Sequence, residues 1–366
     1  MLGNVSFDAV LSSIRDLPFN LEFAVTYKCN VRCVQCNVWQ YYKENPERAK
    51  KELTIEEIVR IFSSYNGFSV IGITGGEPFL RNDLTQIIRI LAQTQRKLRI
   101  LFITTNGQIP QLIENRVKEV LEDRDGNGYD FRLTQLVSLD GPRVIHDYIR
   151  GVKGAYDKAI DTIMRLSELR SSYSLFEVGS VTVCSPFNIG RFNEVIDEVA
   201  RLGNEYDLEP TFCVWFEGQL YKNIGQHKGK EIDEFRKELI GSIPAIKRIV
   251  GKKGSSLTKG RCFFYDLLNY WLKNPERQVV PCGAAKVRYF LDPYGNVYPC
   301  TIYNTAIGKL RDFDDDFTKL INSNSREHVR RLVEEEKCPI CCNTCETIPA
   351  MMANPFHTVI KLLKAR

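Results

Sequence analysis

Three cysteines near the amino terminus have the spacing CxxxCxxC: Cys29, Cys33 and Cys36. Thiolates grouped at short spacings bind zinc or iron–sulfur clusters, but no histidine or fourth cysteine lies nearby to complete a tetrahedral zinc site. A [4Fe–4S] cube held by three thiolates has one iron free to bind something else, as catalysis at a cluster requires. The spacing therefore predicts a catalytic [4Fe–4S] cluster here, and a partial zinc site is the alternative.

The remaining nine of the twelve cysteines divide into two kinds. Cys184 and Cys213 lie in apolar, strand-like runs and Cys262 in a helix-like run, where a free cysteine usually packs as a small hydrophobic residue. The other six lie between residues 282 and 345. Such clustering favours a second metal site over disulfide bonds in a reducing compartment.

The elements that must position these cysteines can be read from hydrophobic periodicity. Between residues 20 and 217, short β-rich runs alternate with longer amphipathic runs, which is typical of βα units around a parallel sheet. The carboxyl ends of parallel strands build the active site in such folds, so the loops that follow them should converge on one pocket. The predicted strands are residues 21–26, 69–74, 99–105, 135–139, 178–183 and 210–216, and the predicted helices are 54–65, 83–94, 109–122, 155–170 and 190–202.

The loop after the second predicted strand reads Thr74, Gly75, Gly76, Glu77, Pro78. Together with the cysteine motif, in this order and on consecutive strands, it makes the chain resemble radical S-adenosylmethionine (SAM) enzymes. In that family the open iron of the cluster is chelated by the amino and carboxylate groups of SAM, and a GGEP-type loop contacts the SAM amino group. The resemblance implies that Gly75, Gly76, Glu77 and Pro78 bind SAM, with the glycines allowing close approach and Glu77 accepting from the ammonium group.

The fourth predicted strand extends the resemblance, because SLDGP at residues 138–142 leads to His146 and Arg150. This pattern resembles the radical SAM enzymes that carry a SPASM or Twitch iron–sulfur extension. By that similarity Ser138, Asp140 and Arg150 belong to the SAM site, with Arg150 placed to contact the SAM carboxylate. Weaker candidates for the ribose or the cleft are Asn106 and Asn188. The family often has an aromatic residue after its third cysteine; here Asn37 stands there, and Trp39 is the expected substitute.

The second cysteine group also resembles such an extension. Cys282, Gly295 and Cys300 fit the shared opening CxnGxxxxC, in which a hairpin turn brings both thiolates to one side. The chain then has the compressed CxxCCxxC of residues 338–345 and lacks the longer SPASM pattern, so we expect one auxiliary [4Fe–4S] cluster. A zinc ribbon is the alternative. The expected ligands are Cys282, Cys300, Cys338 and Cys341, with Cys345 able to replace one of the last two.

The predicted fold class is α/β, a partial (β/α)6 barrel of the radical SAM type followed by a small α+β Twitch/SPASM-like iron–sulfur domain. The expected divisions are an N-terminal extension at residues 1–19, the barrel at 20–217, a linker and helix at 218–260, and the auxiliary domain at 261–366. The 366 residues are ample for two domains with substantial cores.

The resemblance implies reductive cleavage of SAM to methionine and a 5′-deoxyadenosyl radical, which then removes a hydrogen atom from a substrate. A small molecule such as a sugar-derived alcohol is our first expectation, because the predicted single auxiliary cluster resembles radical SAM alcohol dehydrogenases. A peptide-modifying SPASM maturase is the alternative, although only about 20 residues precede the first predicted strand. A non-catalytic iron–sulfur electron carrier is the alternative of another class. The enzyme would need an external one-electron reductant such as flavodoxin or ferredoxin, and no catalytic acid or base is assigned.

Composition limits the partners. The formal net charge of +5 is spread without long basic blocks, so no nucleic-acid partner is expected. The sequence has no apolar run of about 18 residues and no secretory signal, which predicts a cytoplasmic protein without a transmembrane segment. The C-terminal NPFHTVIKLLKAR is amphipathic and basic. Such a tail either touches a membrane surface or, more often, packs as a last helix on its own domain.

Overall fold

The computed structural model describes residues 2–225, 231–253 and 256–365. Its elements in chain order are α1 (Leu2–Arg15), β1 (Asn20–Thr26), α2 (Val38–Glu44), α3 (Ile55–Ser64), β2 (Val70–Gly75), α4 (Leu84–Thr94), β3 (Ile100–Thr105), α5 (Pro110–Gly126), β4 (Arg132–Ser138), α6 (Arg143–Arg150), α7 (Ala155–Arg170), β5 (Phe176–Cys184), α8 (Phe192–Glu205), β6 (Glu209–Val214), α9 (Glu231–Val250), α10 (Ser256–Lys273), β7 (Arg288–Leu291), β8 (Asn296–Tyr298), β9 (Gly308–Lys309), α11 (Phe317–Ile321), α12 (Asn324–Glu334), α13 (Thr344–Ala353) and α14 (Pro355–Ala365).

The described strands form one sheet in the order β6-β5-β4-β3-β2-β1-β7-β8-β9. The strands β1 to β6 are all parallel and lie side by side in sequence order, as repeated βα units require. This arrangement confirms the predicted α/β class. The fourth strand begins at Arg132 rather than Gln135, because the backbone already pairs with β3 from Arg132, opposite Ile100. The guanidinium of Arg132 also pairs with the Glu177 carboxylate on β5 at 3.0 Å.

The two faces of the parallel sheet differ in character, as strand β1 shows. Leu21, Phe23 and Val25 belong to the main hydrophobic core beneath the outer helices. Side chains alternate along a strand, so Glu22 projects from the opposite face, into the interior enclosed by the strands. Gly72 on β2 leaves room there, because a Cβ at this position would lie 2.5 Å from a Glu22 carboxylate oxygen. A polar interior therefore lies behind an apolar outer core.

The C-terminal part of the chain continues this sheet. Strand β7 pairs in parallel with β1, and β7 and β8 form the predicted antiparallel hairpin. The turn contains Gly295 at φ +85, and the Asp292 carboxylate accepts hydrogen bonds from the backbone amides of Tyr294 and Asn296, both at 2.9 Å. The hairpin therefore joins the second cysteine group to the first strand of the barrel. The division into domains at residues 218 and 261 stays a prediction.

Within the residues that the structure describes, no helix has the length and apolar character needed to cross a membrane.

Candidate active site

The first cysteine loop follows β1 and is fastened to the end of helix α6. The amide of Arg32 donates to the Arg150 carbonyl oxygen and the amide of Val34 donates to the Ile149 carbonyl oxygen, both at 3.0 Å. Gly151 ends α6 at φ +63, and a Cβ there would lie 2.3 Å from the Arg32 carbonyl oxygen. The loop is thus positioned by backbone contacts that require a glycine after Arg150.

The three thiols of this loop lie close enough together to influence one another's pKa. Burial raises the pKa of the Cys29 thiol to about 12, and the neighbouring Cys33 makes the second largest contribution to this rise. The same two causes raise the pKa of Cys36. Thiols with raised pKa values bind metal as thiolates only when a cation repays their deprotonation. This donor set therefore fits a three-thiolate iron–sulfur cluster. Within the described residues, no three His, Cys, Asp or Glu side chains are grouped for a single metal ion, and a cube binds each thiolate at a different iron.

A buried ion pair lies beside the thiols. The Arg150 guanidinium is 2.7 Å from the Asp140 carboxylate, and its other terminal nitrogen is 3.8 Å from the Cys33 sulfur. The side chain of Asp140 is fully buried and that of Arg150 almost so. Burial alone would lower the pKa of Arg150, but Asp140 and Cys33 raise it above its ordinary value. Arg150 is thus a fixed positive charge next to the cluster thiolates, and its predicted contact with the SAM carboxylate stays a prediction.

His146 is hydrogen-bonded to the backbone of Asp140. Its Nδ1 accepts a hydrogen bond from the Asp140 amide at 3.1 Å, which makes the ring neutral with its proton on Nε2. Burial, and then the charge of Arg150, lower the pKa of His146 well below its usual value. The histidine is fully buried. It therefore orders the loop that carries Asp140.

The GGEP loop packs directly on the start of the cysteine loop. The Gly76 amide donates to the Thr26 carbonyl oxygen at 2.8 Å, and the Glu77 amide donates to the Lys28 carbonyl oxygen at 2.7 Å. A Cβ at Gly75, which has φ +128, would lie 2.2 Å from the Thr26 carbonyl oxygen, and one at Gly76 would lie 2.1 Å from the Lys28 carbonyl oxygen. Neither position accepts a side chain without moving the backbone.

We expect Gly76→Ala to reduce SAM binding and SAM cleavage by at least about tenfold, because the added methyl group pushes the GGEP loop away from the cysteine loop by displacing backbone atoms. The matched control is Gly203→Ala on helix α8, where a Cβ meets nothing within 4 Å. Titration of the reconstituted protein with SAM, followed by chromatography of 5′-deoxyadenosine, measures both effects. Unchanged SAM affinity in Gly76→Ala would contradict the tight packing of these loops.

The Glu77 carboxylate links the second loop to the third. It is fully buried and accepts hydrogen bonds from the Thr105 hydroxyl at 2.9 Å and from the backbone amides of Asn106 at 2.7 Å and Phe79 at 3.2 Å. Burial raises the pKa of Glu77 to about 7, against the opposing effect of these donors. The carboxylate is thus hydrogen-bonded within the protein. Its expected role as an acceptor for the SAM ammonium stays a prediction.

The other predicted SAM-site residues differ in how close they lie to the cluster loop. The Asn106 side-chain amide donates to the Asn30 side-chain oxygen at 2.7 Å and lies 3.9 Å from the Cys29 sulfur. Ser138 is buried at the last position of β4, and Pro78 is buried directly after Glu77. In contrast, the Asn188 side chain bonds within its own loop. Its oxygen accepts from the Ser185 backbone amide, and its nitrogen donates to the Val183 carbonyl oxygen. Asn106 is therefore the better placed of the two asparagine candidates.

Four cysteines of the second group belong to one hydrophobic contact cluster. Cys282, Cys300, Cys338 and Cys341 pack in one cluster with Ala284, Ile302 and Val333. Cys342 instead lies in the main core. Burial raises the pKa of the Cys345 thiol, and the next largest influences on this pKa are the charges of Glu22, Arg288 and Cys213. The expected role of the first four as ligands of one auxiliary cluster stays a prediction, and Cys345 lies near the charged groups of the barrel interior.

A segment of residues 215–223, which we call the strap, lies between the two cysteine sites and was missed from the sequence. The Asn37 amide donates to the Tyr221 carbonyl oxygen, and the Leu220 amide donates to the Thr301 carbonyl oxygen, both at 2.9 Å. Phe216 packs against the hydrophobic groups around both cysteine sites, and its ring centroid is 5.1 Å from that of Tyr221. The strap therefore connects the residue after Cys36 to the residue after Cys300.

Charged residues of the barrel interior form a second feature that the sequence did not reveal. The Glu346 carboxylate lies 2.6 Å from Arg288 Nε and accepts from the Thr301 hydroxyl at 2.7 Å. Glu22 lies 3.9 Å from the same guanidinium. Burial raises the pKa of Glu22 to about 7, although Arg288 opposes the shift. The one sequence signal was an isolated acid in the otherwise apolar run LEFAV of β1.

Comparison with known protein families identifies the domain that holds the first cysteine loop. The Radical SAM superfamily model matches residues 23–199, which run from β1 into α8 and contain the cysteine loop and the GGEP loop. Residues 23–199 form a radical SAM domain. A chain with this domain is an enzyme that uses a [4Fe–4S] cluster and SAM, which argues against the electron-carrier alternative.

Relatives extend this similarity beyond the barrel. The chain is 23% identical over 372 residues to the antilisterial bacteriocin subtilosin biosynthesis protein AlbA of Bacillus subtilis, covering 93% of this chain and 70% of AlbA. It is 24% identical over 288 residues to the mycofactocin maturase MftC of Mycolicibacterium smegmatis, covering 78% of this chain and 64% of MftC. A probable GTP 3′,8-cyclase of Methanocella arvoryzae is 33% identical over 147 residues, but these make up 42% of that protein.

Solved radical SAM structures share the fold. The chain superimposes on anSMEcpe with bound AdoMet and Cp18Cys peptide with a TM-score of 0.57 and 17% identity, over 95% of this chain and 100% of that one. Streptococcus suis SuiB bound to precursor peptide SuiA gives a TM-score of 0.58 and 17% identity, over 89% and 71%. These similarities confirm the predicted radical SAM fold with a C-terminal extension.

Proposed function

We propose that this radical SAM enzyme modifies a peptide. The observation that carries the proposal is the similarity to AlbA along 93% of the chain, which extends well beyond the radical SAM domain into the C-terminal part. AlbA is named for bacteriocin biosynthesis and MftC is a maturase, and two of the similar structures hold peptides. These relatives favour the peptide alternative over the small-molecule substrate that we placed first.

The chain's own residues have distinct tasks in this proposal. Cys29, Cys33 and Cys36 hold the SAM-binding cluster, which when loaded supplies hydrogen abstraction from an unactivated C–H bond. Arg150 balances the charge of the thiolates, and Gly75 and Gly76 let the GGEP loop pack directly on the start of the cysteine loop. A single auxiliary cluster is held by the thiols of Cys282, Cys300, Cys338 and Cys341.

The barrel interior is the proposed place for the target residue of the peptide. It lies between the two cysteine sites, with the strap on one side and the Glu22, Arg288 and Glu346 group on the other. Holding the target C–H bond at a fixed position limits reaction at other hydrogens. Buried charge in this interior also gives a polar surface to which peptide amide groups can bind.

Isotope transfer tests the proposal. Peptides encoded beside the gene, synthesised with perdeuterated residues, are incubated with the reconstituted enzyme, SAM and a one-electron reductant. We expect mass spectrometry to detect deuterium in 5′-deoxyadenosine and a mass change in the peptide. The parallel incubation contains deuterated sugar-derived alcohols. Deuterium transfer from an alcohol, with none from any peptide, would overturn the peptide proposal in favour of the small-molecule alternative.

A further inference from the structure

The last helix, α14, turns its apolar stripe away from the protein. Phe356, Val359, Ile360 and Leu363 recur at the spacing i, i+3, i+4, i+7, and their exposed fractions are 84%, 55%, 52% and 70%. An amphipathic helix that packs on its own domain normally buries this stripe. The expectation that the tail packs as an ordinary last helix therefore does not explain its orientation. A contiguous exposed apolar patch marks an interaction surface.

The opposite side of α14 holds the helix in this orientation. Thr358 is buried, and its hydroxyl donates to the carbonyl oxygens of Asn354 at 2.9 Å and Met351 at 3.2 Å. The Lys361 ammonium lies 5.7 Å from the centre of the Tyr270 ring of α10, and Leu362 packs against the main core. The polar and mixed side of the helix thus faces the protein, and these contacts fix the apolar side outward.

Charge identifies the surface that suits this helix. Residues 347–366 contain no Asp or Glu but contain Lys361, Lys364 and Arg366, so this stretch carries a formal charge of +3. Phe263 of α10, which is 39% exposed, lies two helical turns before Tyr270 and therefore on the same face of α10 as the Lys361 contact. An exposed apolar stripe in a stretch of net positive charge matches anionic lipid, whereas a second copy of the helix would bring like charges together.

We propose that α14 docks the protein on an anionic membrane surface, lying in the interfacial plane with Phe356, Val359, Ile360 and Leu363 toward the acyl chains. The helix has 11 residues, which is far below the roughly 20 needed to span a bilayer, so it lies on the membrane. This inference concerns a surface apart from the two cysteine sites and does not depend on the proposed peptide substrate.

Vesicle co-sedimentation of the full chain tests the docking. Vesicles of equal parts phosphatidylcholine and phosphatidylglycerol are compared with vesicles of phosphatidylcholine alone. We expect binding to the anionic vesicles that weakens with added salt, because screening removes the attraction of the basic residues. The double variant Phe356→Ser, Leu363→Ser should bind at least about tenfold more weakly, since it removes two exposed apolar side chains that would insert among the acyl chains.

The control variant is Leu112→Ser on helix α5, which changes an apolar side chain of 38% exposure away from α14. It should bind vesicles like the unaltered protein. Circular dichroism and SAM cleavage check that the double variant is folded, as expected for substitutions at exposed positions. Equal binding by the double variant and the control would overturn the proposal. So would a concentration-dependent dimer that this double variant dissociates, because a second copy would then cover the face.

Discussion

Replacing Cys29, Cys33 and Cys36 together by alanine is expected to abolish 5′-deoxyadenosine formation from SAM while leaving about four irons per chain. The three thiols lie close together in the first loop, so their removal eliminates the predicted SAM-binding cluster. The remaining iron is expected at Cys282, Cys300, Cys338 and Cys341, which pack together elsewhere in the structure. Chromatography of the nucleoside and colorimetric iron analysis measure the two results, and electron paramagnetic resonance of the reduced protein identifies the remaining cluster.

Cys262→Ala provides the matched control for this experiment. Its sulfur lies 3.7 Å from the Lys247 carbonyl oxygen on helix α9, apart from both cysteine groups. It should keep about eight irons per chain and full SAM cleavage. A triple variant that contains no iron would refute the auxiliary site, whereas a triple variant that still cleaves SAM would refute the assignment of the first loop. The two assignments therefore fail separately.

The sequence predicted the cysteine loop and the GGEP loop because both depend on local features. A parallel sheet forces the ends of neighbouring strands to one edge, so two motifs that follow β1 and β2 must meet whatever the rest of the chain does. The glycines of the GGEP loop were likewise recognisable, since close backbone approach excludes a side chain. In the structure the two loops are joined by hydrogen bonds from the amides of Gly76 and Glu77 to the carbonyl oxygens of Thr26 and Lys28.

The strap and the interior charges depend on contacts between distant residues and left little trace in the sequence. Residues 218–223 read as the start of a polar linker, because their ties to Asn37 and Thr301 are backbone hydrogen bonds that any residue type can make. The roles of Cys341, Cys342 and Cys345 could not be distinguished from the sequence either. In the structure a helix begins at Thr344 and places Cys345 near Arg288. The presence of Asn37 in place of an aromatic residue was the one available hint, since its side chain also donates to the Lys222 carbonyl oxygen at 3.1 Å.

Arg150→Met is expected to destabilise the protein by about 3–5 kcal/mol, because it leaves the fully buried Asp140 carboxylate without its charged partner. The same substitution removes the positive charge 3.8 Å from the Cys33 sulfur, which weakens retention of the first cluster. Thermal unfolding of the reconstituted protein measures the stability change, and iron analysis together with SAM cleavage measures the effect on the cluster.

The double variant Arg150→Met, Asp140→Asn separates these two effects. Neutralising Asp140 removes the unpaired buried charge, while Asn keeps an oxygen that can accept from the Val183 amide, as the Asp140 carboxylate does at 3.3 Å. We expect the double variant to recover most of the lost stability but not SAM cleavage, because no cation then lies beside Cys33. Recovery of both would mean that Arg150 serves only to pair with Asp140. Recovery of neither would mean that the pair holds the cysteine loop in place through its charges.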